Sequence, residues 1–168
     1  MTERREFDTA PMALLFALMT GLVLFIPIAF VAVAYRAPAV RVPMLIAGGL
    51  VFALSIVTWL VARPRRFVVD ADGLTVEWPL WHRHIPRAAI KAARVLDDAD
   101  VKATLGTAAR VGVGGLFGVF GLLKTSKLGW VSCYITTTAP LVLVERASGR
   151  PLLISPTEPE ALARLLRS

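Results

Sequence analysis

Cysteine and histidine are scarce in this chain, which has one cysteine and two histidines in 168 residues. The single thiol, Cys133, excludes an internal disulfide and any metal site built from several thiolates, and it fits a reducing compartment. His82 and His84 are two positions apart and would share one face of a strand, but zinc usually requires four ligands. Because the chain has no third histidine, we expect no metal site.

Charge is missing from two long segments near the amino terminus. No charged residue lies between Asp8 and Arg36, and none lies between Arg41 and Arg63. An α-helix needs about 20 apolar residues to cross the hydrocarbon core of a bilayer, so each segment is long enough. A cleavable signal peptide is the alternative for the first segment, but its apolar core would have only about 7 to 15 residues. The first segment continues to Tyr35, so the pattern predicts a transmembrane hairpin.

The basic residues that flank the two spans predict their orientation. Two arginines lie between the spans, whereas six lie before the first span or shortly after the second. This bias favours both termini in the cytoplasm. The predicted parts are a cytoplasmic tail at 1–10, transmembrane helices at 11–35 and 44–62, a short external loop at 36–43, and a cytoplasmic domain at 67–168.

Strand patterns dominate the segment that follows the second span. Residues 66–78 read as two short strands joined by Asp-Ala-Asp-Gly, which is a turn signal. Val131, Cys133 and Ile135 alternate with polar residues, as in a strand with one buried face. A second hairpin is predicted around residues 147–149. Six or seven strands at this spacing predict a small antiparallel barrel or sandwich.

Two further patterns lie outside the predicted strands. Leucines at positions 162, 165 and 166 recur at helical spacing, which predicts an amphipathic helix over residues 158–167 lying against the sheet. Asp97, Asp98 and Asp100 form an acidic cluster, but nothing places a proton acceptor beside them. We therefore expect the cluster to be a solvated turn.

Four segments of the domain occur in a specific order. They are R-F-V-V-D-A-D-G-L at 66–74, I-P-R-A-A-I at 85–90, G-V-G-G-L-F-G-V-F-G at 112–121 and L-I-S-P-T-E-P-E-A-L at 153–162. Together they resemble the bacterial pleckstrin-homology-like (bacterial PH) domains. The resemblance implies a membrane-anchored α+β protein of the bacterial cytoplasmic membrane. Its transmembrane hairpin would precede a bent antiparallel β-barrel of about seven strands, capped by one C-terminal helix.

The loop of the first predicted hairpin differs from that of PH domains that bind phosphoinositides. Those domains resemble one another in placing lysine and arginine around this loop, whereas residues 70–73 here are Asp-Ala-Asp-Gly. Two carboxylates would repel a phosphorylated headgroup. The phosphoinositide site of that family is therefore not expected in this chain.

The uncharged segment 111–123 has two interpretations. Its 13 residues are too few to span a bilayer. In the first interpretation it is a glycine-rich bulge or tight strand pair whose phenylalanines fill the core. In the second it is a loop that enters the membrane interface, with the flanking cations on anionic headgroups. The candidate lipid or partner contacts are Arg110, Phe117, Phe120, Lys124 and Lys127.

The chain contains no recognisable motif of a catalytic site. It lacks a nucleophile elbow, a set of metal ligands, and a Walker or G-x-G-x-x-G phosphate loop. We expect no enzymatic activity, no cofactor and no nucleic-acid partner. The leading hypothesis is a non-enzymatic integral membrane protein whose PH-like domain is an interaction or scaffolding module for a protein partner or for its own copies. The alternative is a sensor or binder of anionic lipid headgroups, through basic residues and segment 111–123, in the bilayer that holds the hairpin.

Overall fold

A helical hairpin forms the amino-terminal part of the computed structural model, which describes residues 4–167. Helix α1 (Leu14–Arg36) and helix α2 (Arg41–Val61) are joined by one turn of 3-10 helix. Both helices are long and apolar enough to cross a membrane, judged by length and composition alone. A Cβ on Gly48 would lie 3.3 Å from the Phe30 Cβ, so the absence of a side chain there permits close packing of the helices. Residues 1–3 of the predicted tail and Ser168 lie outside the described residues.

The first of two β-sheets is small and antiparallel. Its strands lie in the order β1-β2-β3-β4. Strand β1 precedes the helical hairpin, and the other three strands follow it directly. The strands are β1 (Arg5–Asp8), β2 (Arg66–Val69), β3 (Gly73–Glu77) and β4 (His82–Pro86).

The second sheet contains six strands in the order β5-β9-β10-β8-β7-β6. All neighbours are antiparallel except β10 and β8, which are parallel. The parallel pair arises because β10 folds back on β9 as a hairpin and lies between β9 and β8. The strands are β5 (Ile90–Leu96), β6 (Ala108–Gly114), β7 (Val119–Thr125), β8 (Gly129–Ile135), β9 (Leu141–Arg146) and β10 (Leu152–Ile154).

The two sheets form a sandwich, which is one of the two alternatives predicted from the strand spacing. The closed barrel of about seven antiparallel strands that the resemblance implied is wrong. Within residues 4–167 there are ten strands, and no strand of one sheet pairs with a strand of the other. Strand β4 ends at Pro86, which has no N–H to continue a ladder. A 3-10 turn at Arg87–Ala89 then carries the chain from the first sheet to the second. The parallel pair between β8 and β10 was also not predicted.

Two short helices cover the sandwich. Helix α4 (Pro159–Arg167) confirms the predicted closing helix and packs mainly on β5. Helix α3 (Asp98–Leu105) lies in the acidic segment, where a solvated turn was expected. That expectation was wrong, because the Asp97 carboxylate accepts a hydrogen bond of 2.8 Å from the Asp100 N–H and so caps the helix.

The domain has a core on each face of the second sheet. The inner core lies between the two sheets and under α4, and it includes Phe67, Leu74, Ile85, Val144, Ile154 and Leu162. The outer core lies on the opposite face and includes Leu96, Leu105, Val119, Val131, Cys133 and Leu141. Residues of α3 and the start of α1 cover the outer core, so the first long helix belongs partly to the domain.

Candidate functional site

The sheet domain holds both ends of the helical hairpin at one place. Strand β1 leads into α1, and β2 follows α2. The two strands pair in antiparallel register, with Phe7 opposite Phe67. Because the segments that enter and leave the hairpin are neighbouring strands, the chain before α1 and the domain after α2 lie at the same end of the hairpin.

A buried hydrogen-bond network fixes the linker between β1 and α1. The Thr136 hydroxyl donates to the Ala10 carbonyl at 2.6 Å, and the Ala10 N–H donates to the Ser155 carbonyl at 2.8 Å. The Ala13 N–H donates to the Thr136 carbonyl at 2.8 Å, and the Thr136 N–H donates to the Ser155 hydroxyl at 2.9 Å. Thr136 and Ser155 are fully buried. Their partners satisfy polar groups that would otherwise be costly to bury.

The first turns of α1 also contact the domain through side chains. Phe16 is buried in the outer core, and Met12 and Ala13 pack against the same cluster. One turn further along, the Thr20 hydroxyl accepts a hydrogen bond from the Phe117 N–H at 2.8 Å and donates to the Gly115 carbonyl at 3.3 Å. These bonds attach the turn between β6 and β7 to the first long helix.

Two stacked tryptophans hold the end of α2. Their ring centroids are 3.7 Å apart and the rings are nearly parallel. The Trp78 indole N–H donates to the Ala62 carbonyl at 3.0 Å, and the Trp81 indole N–H donates to the Val61 carbonyl at 3.2 Å. Carbonyls in the last turn of a helix have no partner within the helix, so the indoles supply the missing donors.

The glycine and phenylalanine segment forms strands β6 and β7 and the turn between them. Phe120 is only 2% exposed and belongs to the core, in agreement with the first interpretation of the segment. Phe117 differs, because it lies in the turn with a φ of 62° and is half-buried. It borders a small cavity whose other lining residues all belong to the two long helices: Leu24, Phe52, Ser55, Ile56 and Trp59.

The structure does not bring the five candidate contact residues together. Lys124 lies near the far end of β7 from Phe117, about 20 Å away at 3.3 Å per residue. Its Nζ lies 5.8 Å from the ring centroid of Trp130. Lys127 follows that strand, and its Nζ donates to the Ala103 carbonyl at 2.7 Å. Arg110 is exposed on β6. A contact of these residues with lipid or protein stays a prediction.

The loop of the first domain hairpin is acidic and ordered by its own side chain. The Asp70 carboxylate accepts hydrogen bonds from the Asp72 N–H at 3.0 Å and the Gly73 N–H at 2.9 Å. No lysine or arginine lies within residues 70–73. A phosphorylated headgroup at this loop would therefore meet two carboxylates and no cation of the loop.

The remaining candidate residues have ordinary structural surroundings. Nδ1 of His84 lies 2.9 Å from the Thr75 hydroxyl, and residues 4–167 contain no cluster of three potential metal ligands. Burial raises the pKa of the Cys133 thiol to about 12, although the positive charge of Arg110 opposes this effect. A thiol with such a pKa is protonated at neutral pH and therefore unreactive.

The part of the chain after the hairpin has the sequence pattern of a known family. Residues 65–168, more than half of the chain, match the family model described as Bacterial PH domain. Comparison with curated proteins and with solved structures gave no match. The matched segment includes β2 to β10, α3 and α4, whereas β1 and the helical hairpin precede it.

Proposed function

This chain belongs to the bacterial PH domain family, and we propose that it is a non-enzymatic integral membrane protein of the bacterial cytoplasmic membrane. Its PH-like domain acts as an interaction and scaffolding module at the cytoplasmic face, where it binds a partner protein or another copy of itself. PH domains are in general non-catalytic modules that bind lipids or proteins, and family membership supports a binding role at that level.

The exposed apolar surface of the hairpin is the observation that carries the membrane assignment. Most large apolar side chains of α1 and α2 have no protein neighbour that covers them. Apolar surface in water costs about 25 cal/mol per Å², and lipid removes that cost. The exposed side chains include Leu14, Leu18, Leu22, Phe25, Ile28, Ile46, Leu50, Phe52 and Leu54.

The charge at the two ends of the hairpin supports the orientation. Because β1 pairs with β2, the start of α1 and the end of α2 both lie at the domain end of the hairpin. These two flanks together carry more arginines than the turn between the helices. Arg36 and Arg41 lie at the opposite end. Since the more basic short flanks usually stay inside, the domain belongs in the cytoplasm.

The attachment of the domain to the hairpin supports a scaffolding role. The domain is tied to both long helices by a strand pair, by the network around Thr136 and by the two indole hydrogen bonds. A domain held in this way presents its outward surfaces at a fixed height and orientation, which reduces the entropy lost when a partner binds.

Labelling of single cysteines tests this topology. Ala39 lies between the two long helices and Ser148 lies in the β9–β10 turn, and both are exposed. A membrane-impermeant maleimide is expected to label Ala39→Cys in spheroplasts, and to label Ser148→Cys only after lysis. Cys133 is buried and gives little background. Labelling of Ser148→Cys in intact spheroplasts would refute the cytoplasmic assignment.

Binding of anionic lipid is the second candidate function. Arg110, Lys124 and Lys127 are exposed, and none of them forms an ion pair in the described part of the chain. Phe117 lies beside the long helices. Basic residues close to an anionic surface gain about 1 kcal/mol each. The strand pair keeps Lys124 away from Phe117, whereas Arg110 pairs with Leu123 next to Lys124 and its guanidinium lies beside Gly114, near the turn that holds Phe117.

Salt dependence separates the two candidate functions. If lipid is the ligand, phosphatidylglycerol in nanodiscs should stabilise the full chain relative to phosphatidylcholine at low salt. Replacing Arg110, Lys124 and Lys127 with glutamine should remove about 3 kcal/mol of this stabilisation, and high salt should remove it as well. The control replaces Lys91, Lys102 and Arg164, which are also exposed. A crosslinked protein complex that persists at high salt, with no lipid dependence, would favour the scaffold.

A further inference from the structure

A cleft opens between the two sheets, at the side where β4 faces β7 and β8. Its volume is about 410 Å³. Strand β4 of the first sheet borders it, as do β7, β8, β9 and the β9–β10 turn of the second. The lining residues are Arg83, Leu122, Ser132, Tyr134, Arg146 and Arg150, with Gly121 and Gly149.

Three arginines from separate segments converge on this cleft. Arg83 comes from β4, Arg146 ends β9, and Arg150 follows the β9–β10 turn. Gly149 makes room for the Arg146 side chain, because a Cβ on Gly149 would lie 3.2 Å from Nη1 of Arg146. Tyr134 is held in place by an edge contact with Trp78, at 5.0 Å between ring centroids.

The positive charge of the cleft has no counterpart among the residues that line it. No carboxylate lines the cleft, and the ion pairs seen within residues 4–167 use Arg4, Arg66 and Arg94 instead. Among the residues that the structure describes, the buried Nε of Arg146 has no hydrogen-bond partner. The positive charge of the cleft is therefore open to an anion that the lining residues do not supply.

We propose that the cleft binds a phosphomonoester. Guanidinium groups form two-point hydrogen bonds with phosphate oxygens. Three positive charges also match the double negative charge of a phosphomonoester better than the single negative charge of a carboxylate. The hydroxyls of Ser132 and Tyr134 are further donors. A volume of about 410 Å³ also holds a small organic group attached to the phosphate. The ligand is either a soluble phosphorylated molecule or a lipid with a terminal phosphate.

The cleft is separate from the acidic loop of the first hairpin. Gly73 at that loop pairs with Pro86, whereas Arg83 pairs with Val76 further along the same two strands. The carboxylates of Asp70 and Asp72 are not among the lining residues. Binding of a soluble phosphomonoester needs neither a protein partner nor the proposed membrane topology, so this inference can fail while the proposed function stands.

Calorimetry and thermal melting of the full chain in nanodiscs test the proposal. In phosphatidylcholine nanodiscs, sn-glycerol 3-phosphate is the soluble probe. In a second arm, phosphatidic acid is added to the nanodiscs and the shift in melting temperature is measured. We expect Arg146→Gln and Arg150→Gln each to weaken binding of the effective probe about tenfold. Arg164→Gln removes an exposed charge on α4 and should bind like the unchanged chain.

The outcomes decide both the site and the source of the phosphate. Binding of glycerol 3-phosphate that falls in the cleft variants supports a soluble ligand. An effect of phosphatidic acid alone, lost in the same variants, supports a lipid ligand. Because Arg150 is exposed, Arg150→Gln gives the answer even if Arg146→Gln is poorly folded. No response in either arm, or an equal loss in Arg164→Gln, would overturn the proposal.

Discussion

Replacing Leu162 with aspartate is expected to unfold the sheet domain. Leu162 is 0% exposed and lies in the inner core, where α4 covers the sandwich. Truncation of such a leucine to alanine typically costs about 2 to 5 kcal/mol. Aspartate adds the cost of burying a charge that has no partner. Since natural domains are stable by only about 5 to 15 kcal/mol, little of the folded population should remain.

Urea denaturation of the full chain in nanodiscs checks this expectation. Tryptophan fluorescence is a suitable signal, because Trp78 lies in the same core as Leu162. The matched control is Arg164→Asp, which introduces the same side chain on the exposed face of α4. Exposed substitutions usually change stability by about 0.5 kcal/mol or less. If both variants unfolded at the same urea concentration, α4 would not act as the cover of this core.

The elements that local sequence specifies were predicted well. The hairpin of β2 and β3 was recognised because Asp70 can order the turn and Gly73 tolerates its φ of 147°. Helix α4 was recognised because leucines at helical spacing need one covered face. The prediction placed Leu165 with Leu162 and Leu166, whereas the structure leaves Leu165 only half-buried. Periodicity gives the buried side of a helix but not the edge of the buried area.

Helix α3 was missed although its start has a local signal. Asp97 and Asp100 have the spacing of an amino-terminal cap, and the capping bond is present. The helix itself is only eight residues long. So short a segment has too few apolar residues to show a helical period. The prediction therefore rested on the acidic residues alone, and these favoured a turn.

Contacts between residues distant in sequence account for the larger errors. The resemblance implied a barrel, whereas strand number left both a barrel and a sandwich open. The insertion of β10 between β8 and β9 depends on pairings that no local pattern encodes. Thr20 bonds to Phe117 and Thr136 bonds to Ala10 across most of the chain. Isolated threonines give no signal of such partners. The arginines of the cleft are likewise spread over three segments, so their convergence appears only in the fold.

The core interpretation of segment 111–123 holds for Phe120, and the interpretation as a loop in the membrane interface stays a prediction. Phe120 lies within a strand, where alternation directs it into the core. Phe117 lies in the turn, and its positive φ together with the bond from its N–H to Thr20 keeps it near the long helices. The sequence alone did not separate the two residues, because a strand and a turn cannot be distinguished within a run so rich in glycine.

Replacing Phe7 with aspartate is expected to detach β1 and destabilise the whole domain. Phe7 is 4% exposed in the inner core, opposite Phe67, although it precedes the hairpin and lies outside the matched family segment. Loss of a buried phenylalanine typically costs about 3 to 5 kcal/mol. Aspartate at this position would also disfavour the pairing with β2, which would then become an open edge strand. Hydrogen exchange of the β2 amides in the full chain measures this directly.

A change at the neighbouring residue provides the control. Glu6 forms ion pairs with Arg4 and Arg66 on the exposed face of the same strand. The hydrogen bond from Arg66 to Glu6 and the charge of Glu6 are the main causes that raise the pKa of Arg66. Solvent screens exposed ion pairs, so they contribute little to stability, and Glu6→Gln should leave exchange of β2 nearly unchanged. If Phe7→Asp also left the exchange of the β2 amides unchanged, the segment before α1 would not be part of the domain. Strands β1 and β2 would then not tie the two ends of the hairpin together.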